Sequence, residues 1–203
     1  IRLDNEESPQ KAVQRFLGEI KGDTFSLDAS YYGLALAQSR AGMTEKARKS
    51  LQRLLSKEPD KIAYLVAQAE IESTAKNYKK ALSVLKRRLA ESPNNHPLNV
   101  TYAETLMNAG QYQDSEKVLA SYSRQRPNDP YVWYLLAEVH GLAGDILGVH
   151  KARSEYFILN GIYDKAARQI NQALKMVKGN YMQTALLEER LRQVQRMQEK
   201  TRL

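Results

Sequence analysis

Four glutamates are the side chains best placed to do chemistry in this chain. Glu70, Glu104 and Glu138 recur at one constant interval, each directly after an alanine (Ala69, Ala103, Ala137), and Glu155 follows Ser154 in a matching position. A row of carboxylates attracts cationic side chains. With Tyr32, Tyr131, Tyr134, Asn108 and Arg40 near it, such a row could hold an extended or helical segment carrying basic and apolar residues. The competing account pairs each glutamate with a neighbouring Lys or Arg on a solvated surface, where a single ion pair contributes little. Other chemistries find less support. The three histidines, His96, His140 and His150, form no HExxH and no paired spacing with a carboxylate, and no Gly-rich phosphate loop occurs. His96 is expected on the surface before Pro97, and His140 half-buried and satisfied rather than a ligand. Without cysteine, neither a disulfide framework nor a thiolate zinc site is available. The chain by itself is expected to be non-catalytic, with no metal or cofactor of its own.

The elements that must position these residues repeat with the same period. Pro59, Pro93 and Pro127 are evenly spaced at that interval, and Gly42, Lys76, Gly110 and Gly144 keep it too. Glycine suits a left-handed helix cap, and a proline pushes the residue before it out of the α region and so ends a helix. Small residues (Ala35, Ala69, Ala103) fall where two helices would cross closely, and large ones where one hairpin would pack on the next. The pattern resembles the tetratricopeptide repeat (TPR), a helix-turn-helix unit of about 34 residues. That resemblance implies an all-α fold, a TPR-type α-solenoid of about eleven helices with a C-terminal capping helix. It also implies that the residue after each small first-helix residue faces a concave groove.

Residues 1–203 are expected to form a single TPR domain. Its parts are a half-unit at 8–21, full units at 28–61, 62–95 and 96–129, an atypical unit at 130–160, a last unit at 147–179 that shares a helix with it, and a capping helix at 180–200. The sharing follows from Gly161, which comes only half a period after Gly144. TPR modules that clamp the carboxylate of chaperone tails carry Lys and Asn on their first helices. Here those slots hold Tyr32, Leu36, Val66, Glu70, Val100 and Glu104, and a carboxylate would meet carboxylates.

At 203 residues and 42% hydrophobic content the chain is long enough to bury a continuous core. Its net charge of +8 raises the question of nucleic acid. The basic clusters, Lys46 to Arg53, Lys79 to Arg88 and the last helix, fall mostly on second helices, which form the outer surface in this architecture. They are expected to be a solvated face, because no basic groove with base-reading or stacking partners is legible. No apolar run reaches the roughly 18 residues of a membrane span. A start at Ile1, without methionine or a signal sequence, is expected of a piece of a longer chain.

The run GDILGVHKARSEYFILNGIYDKAARQINQALKMVKGNYMQTALLEERLRQVQRMQE, Gly144 to Glu199, with its half-period slip and closing helix, resembles the C-terminal TPR domain of periplasmic zinc metalloproteases of the β-barrel assembly-enhancing (BepA) type. The resemblance extends through ALAQSRAGMTEKARKSLQRLL (Ala35 to Leu55) and LAEVHGLAGD (Leu136 to Asp145). It implies a periplasmic recognition module whose partners are its own protease domain, the outer-membrane β-barrel assembly machinery and client β-barrel proteins, with no nucleic acid and no membrane span. Zinc is then expected only in an HExxH domain outside this sequence. The groove implied by the resemblance maps to Tyr32, Arg40, Glu70, Glu104, Asn108, Tyr131, Tyr134, Glu138 and Glu155. A free-standing TPR adaptor in envelope or secretion-system assembly is the alternative.

Overall fold

The computed structural model describes residues 8–22 and 24–201. Among them are eleven helices and no strand: α1 (Pro9–Lys21), α2 (Leu27–Arg40), α3 (Thr44–Leu55), α4 (Ile62–Thr74), α5 (Tyr78–Glu91), α6 (His96–Asn108), α7 (Tyr112–Gln125), α8 (Pro130–Ala143), α9 (Ile146–Leu159), α10 (Tyr163–Met176) and α11 (Tyr181–Thr201). The fold is all-α and built of helical hairpins, as the repeat requires. The outermost residues of the expected single domain, 1–7, 202 and 203, lie outside the described residues.

Local chemistry sets where the helices begin and turn. Ser8, Ser26, Asn95, Asp129, Asp145 and Asn180 each accept a backbone N–H from the first turn of the helix that follows, satisfying a donor with no partner inside that helix. At the tight turns Gly42, Gly110, Gly144 and Gly161 take positive φ. Lys76, at φ 61°, does the same with a side chain, a conformation that costs a non-glycine residue energy. The residue after the left-handed one bonds back into the helix, Met43 to Gln38 at 2.8 Å and Asn77 to Glu72 at 2.8 Å, and so closes its end.

The helices pack as two compact units, divided between Ala109 and Gly110. In the first, α4 packs against α2 on one flank and α6 on the other, while α3 and α5 cover the opposite side. The crossings are close because Ala35, Ala47, Ala67 and Ala69 are fully buried there, and Leu51, Leu54 and Ile71 fill the space beside them. Helix α1 docks on α2 by inserting Phe16 where Gly33 has no side chain; a Cβ at Gly33 would lie 2.3 Å from the phenyl ring. In the second unit each helix packs on the next from α7 to α11, and α9 is in contact with both α8 and α10. Ile158, Ala166, Ile170, Ala173, Leu187 and Val194 form one buried cluster there, which anchors α11.

Candidate protein-binding surfaces

In the first unit, α2, α4 and α6 lie side by side and bring five of the sequence-selected residues to one region. Tyr32, on α2, reaches across to α4: its hydroxyl donates to the Ala63 carbonyl at 3.5 Å and its ring lies 5.8 Å from that of Tyr64. Burial pushes the Tyr32 phenol up, and the charge of Glu70 adds to the effect. Glu70 is exposed on α4, among the neighbouring side chains of α2 and α6. Burial raises its carboxyl pKa, Glu104 raises it further, and Arg40 opposes them. Asn108 donates to Ser73 Oγ at 3.5 Å. Glu70, Glu104, Ser73 and Asn108 line an open depression of about 330 Å³, with Lys76 and Tyr78 also in its wall. This arrangement suits a cation carried on a flexible stem, because the two carboxylates each lose repulsion when a positive charge arrives.

The second unit presents a different chemistry. Tyr131, Tyr134 and Glu138 lie three and four positions apart on one face of α8, all exposed. The rings of Tyr131 and Tyr134 stack at 6.0 Å with 11° between planes, and Tyr134 continues to Tyr156 of α9 at 6.1 Å. Two half-exposed phenol rings give apolar area at low conformational cost. Glu155 belongs to a different arrangement. Arg190 of α11 holds both its carboxylate oxygens, with Nε donating to Oε1 at 2.8 Å and Nη2 to Oε2, and the pair is largely shielded from solvent. Its carboxylate therefore ties α11 to α9.

Two features lie outside the sequence-derived selection. Tyr156 extends the aromatic run and reads in sequence as one more apolar step of α9. Glu72, 1% exposed, is held by Arg48 of α3, Lys80 of α5 and Asn77. Burial would raise its pKa, but these hydrogen bonds win and bring it down to about 2. One signal for Glu72 was available: the slot at the repeat interval reads Gln38, Glu72, Leu106 and His140, and Gln38 is also buried and accepts from Ser50 at 2.8 Å. His140 is half-buried, its Nδ1 3.0 Å from Asp145 Oδ2, and His150 Nδ1 lies 2.8 Å from Gln169 Oε1. Among the described residues no group of three His, Asp or Glu could hold a metal ion, and no helix is long and apolar enough to cross a membrane.

Known proteins match at the level of the repeat. No curated protein sequence matches the chain. Solved structures do: a tetratricopeptide repeat protein from Parabacteroides merdae ATCC 43184 (17% identity, 92% of this chain and 78% of that one, TM-score 0.57) and MamA (41-end) from Desulfovibrio magneticus RS-1 (17%, 85% and 96%, TM-score 0.54). At these identities the likeness concerns the fold. Two models of the tetratricopeptide repeat match residues 32–96 and 74–139. Together they take in more than half of the chain, which belongs to the tetratricopeptide-repeat family.

Proposed function

We propose that this chain is a non-catalytic protein-interaction module, and that the exposed first-helix faces of the first unit take a partner segment in which basic side chains alternate with apolar ones. One observation carries the reading. Glu70 keeps a carboxylate where burial and Glu104 disfavour its charge. Glu70 and Glu104 line one depression, and two carboxylates so placed draw a cationic side chain to it. Tyr32, on the neighbouring helix of the same unit with its ring against that of Tyr64, supports the apolar part of the recognition.

The finer reading is that the module is the recognition half of a periplasmic zinc metalloprotease of the BepA type, docking it on the outer-membrane β-barrel assembly machinery and binding client polypeptide. It rests on the half-period step between Gly144 and Gly161 and on the closing helix. A free-standing adaptor in envelope or secretion-system assembly fits the same features. Zinc, on the finer reading, belongs to a protease domain outside this chain.

The test is fluorescence anisotropy with a labelled peptide alternating Lys or Arg with Leu or Tyr. The double variant Glu70→Lys with Glu104→Lys should lose this binding while keeping its helicity and melting. Unchanged affinity in a folded variant would mean that the two glutamates are solvated only. Co-purification of the chain with barrel-assembly components from an envelope extract separates the metalloprotease reading from the adaptor, which predicts none.

A further inference from the structure

In the first unit α3 and α5 stand apart and leave a cleft floored by α4. Its volume is about 250 Å³. Leu51, Leu55 and Ile71 supply the apolar wall, and Arg48, Lys49 and Lys80 the rim. That volume is room for an aliphatic side chain, and the cleft adjoins a wider opening of about 840 Å³.

The rim is fixed in place from below. Arg48 donates to Glu72 through Nε at 3.0 Å and Nη2 at 2.5 Å, and Lys80 Nζ lies 2.6 Å from the same carboxylate. One buried anion thus sets two cations from different helices at opposite lips of the cleft. An ammonium has three donors, and Lys80 keeps more than half of its side chain in solvent, so it has donors to spare. The wider opening shares Arg48 and Lys80 and adds Lys76 and Lys79 to the same surface. Five cations, Arg48, Lys49, Lys76, Lys79 and Lys80, therefore face two carboxylates, Glu45 and Glu72. Lys76, in the turn between α4 and α5, lies between this surface and the Glu70 depression and lines both.

We propose that this cleft binds an acidic segment of a partner protein, seating one aliphatic side chain against Leu51, Leu55 and Ile71 with Asp or Glu on either side of it facing the cationic rim. The excess of positive charge selects acidic flanks, and the apolar wall of Leu51, Leu55 and Ile71 selects an aliphatic side chain of a polypeptide.

The experiment uses the whole chain and a labelled peptide with a single Leu between runs of Asp and Glu. Binding should weaken about tenfold or more in Lys49→Glu with Lys79→Glu, since like charges then face each other across the rim. Neither lysine touches Glu72, so the fold is kept, which circular dichroism checks. Changing the peptide's Leu to Ser should weaken binding as well. Glu70→Lys with Glu104→Lys should leave it intact, so this site and the basic-segment site stand or fall separately. The proposal is overturned if the acidic peptide does not bind, if reversing the lysines leaves its affinity unchanged, or if single-stranded RNA binds the same lysines as tightly with a steep salt dependence.

Discussion

Glu72 is the residue on which the first unit's electrostatics turn, and its replacement by glutamine tests the account. The side chain is 1% exposed and joins α3, α4 and α5 through Arg48, Lys80 and Asn77. Held at about 2 instead of 4.5, the carboxylate is favoured over its neutral form by about 3 kcal/mol more in the folded chain than in the unfolded one. Glutamine keeps the volume and the contact with Asn77 but gives up the charge. Arg48 retains Glu45, and Lys80 can turn to solvent, so some of the loss is recovered. The expected loss near neutral pH is about 2 to 3 kcal/mol. The sign of the pH dependence follows from the depressed value. The stabilisation is complete above about 4.5 and is lost as pH falls towards about 2, so the gap between wild type and Glu72→Gln should shrink across that window. Urea unfolding by far-ultraviolet circular dichroism gives the difference, and hydrogen exchange of the α4 amides assigns it to the first unit. A difference that stays the same near neutral pH and at about pH 3, or one below about 0.5 kcal/mol, would refute the ionised clamp.

Glu70 should respond in the opposite sense. Because its folded pKa is raised, the folded chain holds more protons than the unfolded one above the ordinary carboxylate value, and stability falls as pH rises through the raised value. Glu70→Gln is therefore expected to be at least as stable as wild type at neutral pH while binding the basic peptide more weakly; a less stable variant would show that the carboxylate supports the fold. Gly33→Ala should destabilise the docking of α1, since the new methyl lies 2.3 Å from a Phe16 ring that is itself 3% exposed and cannot swing away. Alanine favours a helix by up to about 1 kcal/mol over glycine, but overpacking costs about 1 to 3 kcal/mol, so a net loss is expected, with Phe16→Leu restoring part of it. Faster hydrogen exchange confined to α1 is the measurement.

Much of the fold could be read from spacing because each hairpin solves the same packing problem. Ala69 and Ala103 had to be small for helices to cross, and both are fully buried. Gly42 and Gly110 had to turn, and both take positive φ. The tetratricopeptide models match up to residue 139 and stop just short of α9, where the spacing of the turn glycines halves. The surface was legible where it depends on one helix face, as with Tyr131, Tyr134 and Glu138. It was not legible where two distant helices must meet. Arg190 is far along the chain from Glu155, and which charges of α11 point at α9 depends on how Leu187 and Val194 seat that helix. Glu72 escaped for a related reason: Arg48 and Lys80 look like members of a solvated basic cluster until the burial of their shared anion is seen.

Helix α9 has a neighbour on each flank, α8 before it and α10 after it. In an ordinary row of hairpins each pair owns its two helices, and one pair can melt while the next stays folded. Here α9 is packed from both sides. Melting α8 strips one side of α9 and melting α10 strips the other, so the loss of either neighbour lays bare part of the face on which α9 rests.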